Sequence, residues 1–361
     1  MSAYDPSGIR FGNQRSQPTK KCDRRICPKS AQRDTLVGMN KVVEWLLEGP
    51  PWVQYRTHID LLGQPESDSK VADARKKMLI HPDIRALLTE LSGWPGPSLK
   101  RHNDAGHLLH KLVFISDIGM VAGDPGINEI IKNVIERKSQ EGVFQVIANV
   151  YPQYGGSGQD ELAWMLCDSP SILYSLAKLG IRDDSVIQSA ARHLAGLSAD
   201  NGWPCTVSSN LGKFRGPGRK TDPCPYATLI SLKALSQIPG WRDSEACVRG
   251  VESLLQLWEQ RKERRPYLFA MGTGFAKLKA PMVWYDILHV LEVLTQFHRF
   301  RKDRRLLEMV DILKAKSDHE ERFTAESVWK AWSNWEFGQK KTPSLWLTSQ
   351  AQKISKRMSE T

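Results

Sequence analysis

Two short stretches of this 361-residue chain hold side chains that can do chemistry together. In the first, residues 212–226, a glycine-rich segment carrying Lys213, Arg215, Arg219 and Lys220 runs directly into Asp222, Cys224 and Tyr226. The second is Trp284-Tyr285-Asp286-Ile287-Leu288-His289. Carboxylate, thiolate and imidazole are the ligand types that zinc accepts, and three protein ligands with a fourth position open is the catalytic pattern. Asp222, Cys224 and His289 therefore read as one metal set. Its open position could bind a substrate thiol and present it as thiolate, or hold a water as nucleophile. The four loop cations would stabilise a diphosphate or another anion by charge, with backbone N–H groups adding to it.

Each residue also has a plainer role. Asp222 could be a helix N-cap, with Pro223 in the first turn, Cys224 a core thiol and His289 a core histidine. A thiol at a helix N-terminus would still feel the dipole, which lowers its pKa. Around the metal set, Trp164, Trp203, Tyr226, Tyr267, Phe269, Trp284 and Tyr285 are expected to line a cavity for an apolar group. Cys167, Cys205, Asp286, His107 and His110 are its candidate polar members. Cys205, after Gly202-Trp203-Pro204, is an alternative ligand to Asp222, and His107 and His110 stand in repeat register with Asp286 and His289.

That register comes from a repeat. Apolar helices begin near His107, Ser171, Tyr226 and Asp286, and each is followed by a turn with an acid: Asp124, Asp183, Asp243 and Asp303, spaced 59, 60 and 60 residues apart. A second, amphipathic helix follows each turn, and each acid suits the N-terminus of that helix. First helices apolar nearly all round and second helices apolar on one face call for two layers. The long segments 139–163, 200–222 and 261–281 connect the repeats, and in a closed ring they would surround the mouth of a central cavity. Helices from Met39 onward, including 71–91 broken at His81-Pro82, and the segments Glu326–Phe337 and Leu345–Met358 would complete it. The expected fold is all-α, a single α/α toroid over 38–361.

Residues 1–37 read as a disordered basic tail, with eight Lys or Arg against one acid over 10–33. Cys22 and Cys27 lack a second Cys/His pair at zinc-knuckle spacing. Six scattered cysteines do not make a disulfide scaffold. No signal peptide and no apolar run near 20 residues is visible, so a cytoplasmic chain without a membrane span is expected. The net charge of +11 fits an anionic substrate, lipid or nucleic acid, although no nucleic-acid-reading motif is present.

The pattern resembles the terpenoid cyclases and protein prenyltransferase β subunits, which are α/α toroids with Gly-x-Trp turns. Asn201-Gly202-Trp203 and Gly142-Val143-Phe144 stand where such turns fall. Arg219-Lys220-Thr221-Asp222-Pro223-Cys224-Pro225-Tyr226 is similar to the basic loop and Asp-x-Cys of the prenyltransferase β subunit, and Asp286-Ile287-Leu288-His289 to its Asp-x-x-His. The resemblance implies Zn2+ on Asp222, Cys224 and His289, with Arg215, Arg219 and Lys220 holding a diphosphate. Pro225 departs from the pattern, where Tyr directly follows Cys. The cyclase Asp-x-Asp-Asp and the Cys-His pair of lanthionine cyclases are absent, and nothing in the chain supplies the partner α subunit. The function expected is a zinc-dependent, transferase-like enzyme acting in a central cavity on a small molecule, isoprenoid or thiol-containing. A zinc hydrolase or lyase, or a non-enzymatic binding toroid, is the alternative.

Overall fold

A computed structural model of the chain describes residues 41–182, 184–214 and 216–360. The basic tail with Cys22 and Cys27, together with Asp183 and Arg215, lies outside the described residues. The fold is mostly helical. Helix α1 (41–47) buries Val42 and Leu46. Helix α2 (Pro51–Arg56) continues into a wider π-type turn, Thr57–Leu61. Helices α3 (Ser69–Ile80) and α4 (Pro82–Leu91) meet at His81. His81 is held extended because the following proline excludes the helical conformation, and Pro82 then fits the first turn of α4.

Four helix pairs follow, as the repeat requires. They are α5 (Leu108–Asp117) with α6 (Ile127–Ile135), α7 (Ser169–Leu176, continuing through Ala177–Ile181) with α8 (Ser185–Gly196), α9 (Pro225–Leu235) with α10 (Glu245–Glu259), and α12 (Ile287–Leu294) with α13 (Arg304–Lys314). A single turn, α11 (Thr273–Ala276), precedes α12, and α14 (Leu345–Ser359) closes the order. Every residue of α7, α9 and α12 is buried. By contrast α13 buries only Leu306, Met309, Val310 and Leu313, one stripe at helical spacing. The first helices thus form an inner layer and the second helices an outer one.

Within the inner layer α5 packs on α7, α7 on α9, α9 on α12, α12 on α14, and α14 on α2. Phe114 of α5 also meets Trp346 of α14, ring centroids 5.6 Å apart. The segment 326–337 does not form the expected helix. It holds only a 3-10 turn, Lys330–Trp332, because its tryptophans serve as wedges. Trp332 is buried between Phe114 and Phe337, and its Nε1–H donates to the carbonyl of Ala105 at 2.8 Å.

The turn acids divide. Asp303 caps α13, accepting the N–H of Arg305 at 2.8 Å. The residue that caps α10 is Ser244 rather than Asp243, and α8 is capped by Asp184. Helix α6 starts from Gly126 without a side-chain cap, while Asp124 instead pairs with Arg75 at 2.6 Å. Segment 139–163 contains an antiparallel hairpin, β1 (Val146–Asn149) with β2 (Asp160–Ala163). Its inward residues form a small second core with Val150, Met165 and Leu211. No helix among the described residues is long and apolar enough to cross a membrane.

Candidate functional site

Two cysteines meet where α7 and α9 begin. The backbone N–H of Cys224 donates to the carbonyl of Trp203 at 2.7 Å, which fixes the approach to α9. Pro225 then occupies the first helical position, so Cys224 itself is the N-cap. Its Sγ accepts the N–H of Ala227 at 3.5 Å and stands 3.8 Å from the Sγ of Cys167. Next to Cys167 in sequence, Asp168 is fully buried and lies just before α7. Both of its carboxylate oxygens are 3.0 Å from Nδ1 of His102. The Asp168 carboxylate thereby fixes the proton on Nδ1 of that ring.

The electrostatics follow this geometry. Burial opposes charge on His102, but the Asp168 carboxylate overrides it and raises the imidazole above its ordinary range. The hydrogen bond with Cys167 holds the Cys224 thiol below its ordinary value against burial, with help from the N–H groups of Ala227 and Tyr226 and from His102. The same sulfur contact and burial push Cys167 well up. The contact thus favours thiolate on Cys224 and thiol on Cys167.

These groups open on a cavity of about 700 Å³. Cys167, Cys205, Cys224 and His102 line it, with Tyr151, Tyr154, Phe214, Tyr267, Phe269 and Trp284 as aromatic walls and Lys100 and Arg101 as its cations. Of the expected cavity residues, Cys167, Cys205, Trp284, Tyr267 and Phe269 are there. The others serve the core. Trp164 donates to Glu141 at 2.7 Å, and Trp203 to the carbonyl of Leu194 at 2.7 Å. The Tyr226 hydroxyl donates to the carbonyl of Val283 at 2.8 Å, while its ring packs 4.4 Å from Trp284. His107 caps α5 and reaches the carbonyl of Pro97, and His110 reaches the carbonyl of His102. Tyr285 is buried with its hydroxyl unpartnered.

The expected metal set does not converge. Among the described residues no three His, Cys, Asp or Glu side chains are grouped to hold a metal ion. Because α9 starts at Pro225, Asp222 falls outside the helix and pairs with Arg264 at 3.0 Å. His289 donates from Nδ1 to the carbonyl of Trp284 at 2.9 Å, and its buried Nε2 has no partner. Asp286 caps α12 through Oδ1, accepting the N–H of His289 at 3.0 Å, and its Oδ2 is buried and unpartnered. Burial takes His289 down to about 3 and Asp286 up to about 7.

The cationic loop is also placed differently. Lys213, Arg219 and Lys220 are exposed and do not line the cavity. The loop wraps a tyrosine instead. The Tyr267 hydroxyl donates to the carbonyl of Arg219 at 3.1 Å, and a Cβ on Gly218 would stand 2.6 Å from the Tyr267 ring. Glycine at 218 is thus a packing requirement. The sequence reading missed His102 as a site residue, since neither a motif nor the repeat marks it. Asp168 was legible only as the neighbour of Cys167.

No family model matches the chain, and no curated protein matches it. A solved structure described as that of a protein from Actinoplanes aligns over 90% of this chain and 99% of that one, with 12% identity and a TM-score of 0.42. A likeness of that size carries neither fold nor function across.

Proposed function

We propose that the helix pairs close into an α/α toroid, and that the chain is a transferase-like enzyme using the Cys224 thiolate at the polar wall of the aromatic cavity. Closure is supported by α14 packing against both α12 and α2, and by the Phe114–Trp346 contact between α5 and α14. One observation carries the activity: a helix-capping thiol in contact with a second thiol lines the same cavity as a histidine oriented by a buried carboxylate. Nucleophile, base and orienting group are the parts of covalent thiol catalysis.

The substrate that fits is an apolar acyl thioester. The Cys224 sulfur attacks the carbonyl carbon, a C–S bond forms, and the substrate's own C–S bond breaks as its thiolate leaves. His102 supplies the proton that thiolate takes up. A second thiol or water, deprotonated by His102, then releases the acyl group from Cys224. The aromatic walls exclude water from the acyl chain, and Lys100 and Arg101, the exposed cations of the lining, suit an anionic carrier. The test is intact mass after exposure to a medium-chain acyl thioester, with a prenyl diphosphate in a parallel arm. Acylation of wild type, its loss in Cys224→Ser and its slowing in His102→Ala support the reading. Binding of the diphosphate without acylation would return the substrate to the isoprenoid class.

One distance keeps zinc as a second reading on the Cys167–Cys224 pair, although no third His, Cys, Asp or Glu among the described residues is grouped with it. Two thiolates on tetrahedral zinc, each about 2.3 Å from the metal, stand about 3.8 Å apart. That is the Cys167–Cys224 separation of 3.8 Å. Zinc would supply Lewis-acid activation of a bound thiol or water. About one zinc per chain, lost in both Cys167→Ser and Cys224→Ser, would select this reading.

A further inference from the structure

We propose that Cys167 and Cys224 form an oxidisable dithiol that reduces a hydroperoxide entering the cavity, with Cys224 as the attacking sulfur and Cys167 as the one that resolves it. The inference rests on Cys224 being the reactive sulfur of the proposed function, and does not depend on the acyl chemistry.

The geometry separates the two roles. Cys224 caps an eleven-residue helix and its sulfur accepts the Ala227 N–H, an arrangement that favours thiolate. Cys167 has no such helix, because the cap position of α7 falls to Asp168. The sulfurs are already 3.8 Å apart, and α7 and α9 pack directly. Reaching a disulfide bond of about 2.05 Å requires the sulfurs to approach by about 1.8 Å. Both cysteines are largely buried yet line the cavity, so a peroxide must arrive through it. Cys167, Cys224 and Cys247 carry no disulfide.

The steps balance. The Cys224 thiolate attacks the distal oxygen of ROOH, the S–O bond forms and the O–O bond breaks. Alkoxide leaves and takes a proton from His102, giving ROH and a sulfenic acid on Cys224. The Cys167 thiol then attacks that sulfur, the S–S bond forms and water departs. An external low-molecular-weight thiol, two equivalents per cycle, returns the pair to the dithiol. The other two described cysteines serve as internal comparisons. Cys205 lines the same cavity, and Cys247 is buried in α10.

The experiment uses the full chain, reduced and then treated with one equivalent of hydrogen peroxide or cumene hydroperoxide. It is quenched with N-ethylmaleimide and read by intact mass and peptide mapping, with helical circular dichroism confirming the fold. The expected result is loss of two maleimide adducts and a linked Cys167–Cys224 peptide. Cys167→Ser should stop at a dimedone-reactive sulfenic acid on Cys224, and Cys224→Ser should leave Cys167 unoxidised. Folded wild type that forms no such link, links Cys205 equally, or links only after zinc has been chelated overturns the proposal. A disulfide without acyl transfer would retain this inference and sink the acyl reading. Acyl transfer without a disulfide would do the reverse.

Discussion

Replacing Asp286 by asparagine should change how stability depends on pH, with little change in stability at pH 5. Asp286 is fully buried with one oxygen unpartnered, and burial raises its carboxyl from 3.8 to about 7. A raised folded pKa means that its stability contribution is complete below the unfolded value and lost as pH rises through about 7. His110 and His289 run the other way. Burial takes them from 6.5 to about 4 and about 3, so their contribution is complete above 6.5 and lost as pH falls below it. Integrating between pH 7 and pH 5, each histidine removes about 2 kcal/mol while Asp286 returns a similar amount. The wild type should therefore lose only about 2 kcal/mol from these three groups on acidification, against a typical domain stability of about 5–15 kcal/mol. The asparagine side chain keeps an oxygen to cap α12 but does not titrate. The Asp286→Asn variant should match wild type near pH 5, exceed it by about 2 kcal/mol at pH 7, and level off at about 3 kcal/mol above pH 8. Urea unfolding of both proteins at pH 5, 7 and 8 reads this directly, because every other titrating group cancels in the difference. Parallel curves for the two proteins would refute the assignment of a buried, protonated Asp286.

The packing and the helix caps give two more. A methyl group on Gly250 would stand 2.6 Å from the fully buried ring of Trp203 and 3.0 Å from Leu232. Gly250→Ala should therefore cost about 1–3 kcal/mol despite its helix-favouring side chain, measured by chemical denaturation. Asp303→Ala removes the α13 cap and should cost about 1 kcal/mol. Asp243→Ala, exposed and beside the true cap Ser244, should stay within about 0.5 kcal/mol. Equal losses at these two positions would refute the division of roles between the turn acids.

The hairpins were legible because burial leaves a plain signal. The inner helices α7, α9 and α12 are apolar on all sides, and the chain returns to that pattern about every 60 residues. The break at His81-Pro82 was legible for the same kind of local reason. The wedges of 326–337 were not, since Trp329, Trp332 and Trp335 follow helical spacing while filling gaps between helices. The start of α9 turned on one residue: with Pro225 rather than Pro223 in the first turn, Asp222 is left outside to meet Arg264. Cys224 was found through its motif, and Cys167 and Cys205 through their loop junctions. His102 reaches Asp168 across 66 residues, and no periodicity in the sequence encodes that contact.

The most direct test of the central claim is the rate at which each cysteine of the folded protein reacts with iodoacetamide, resolved by peptide mapping from about pH 5.5 to about pH 9. Cys224 should react first at neutral pH, well ahead of Cys167 and of Cys247, whose thiol burial pushes up to about 11. Its advantage should shrink in His102→Ala. A Cys224 that reacts no faster than Cys247 across that range would contradict a thiolate at the wall of this cavity, and with it the account of the site.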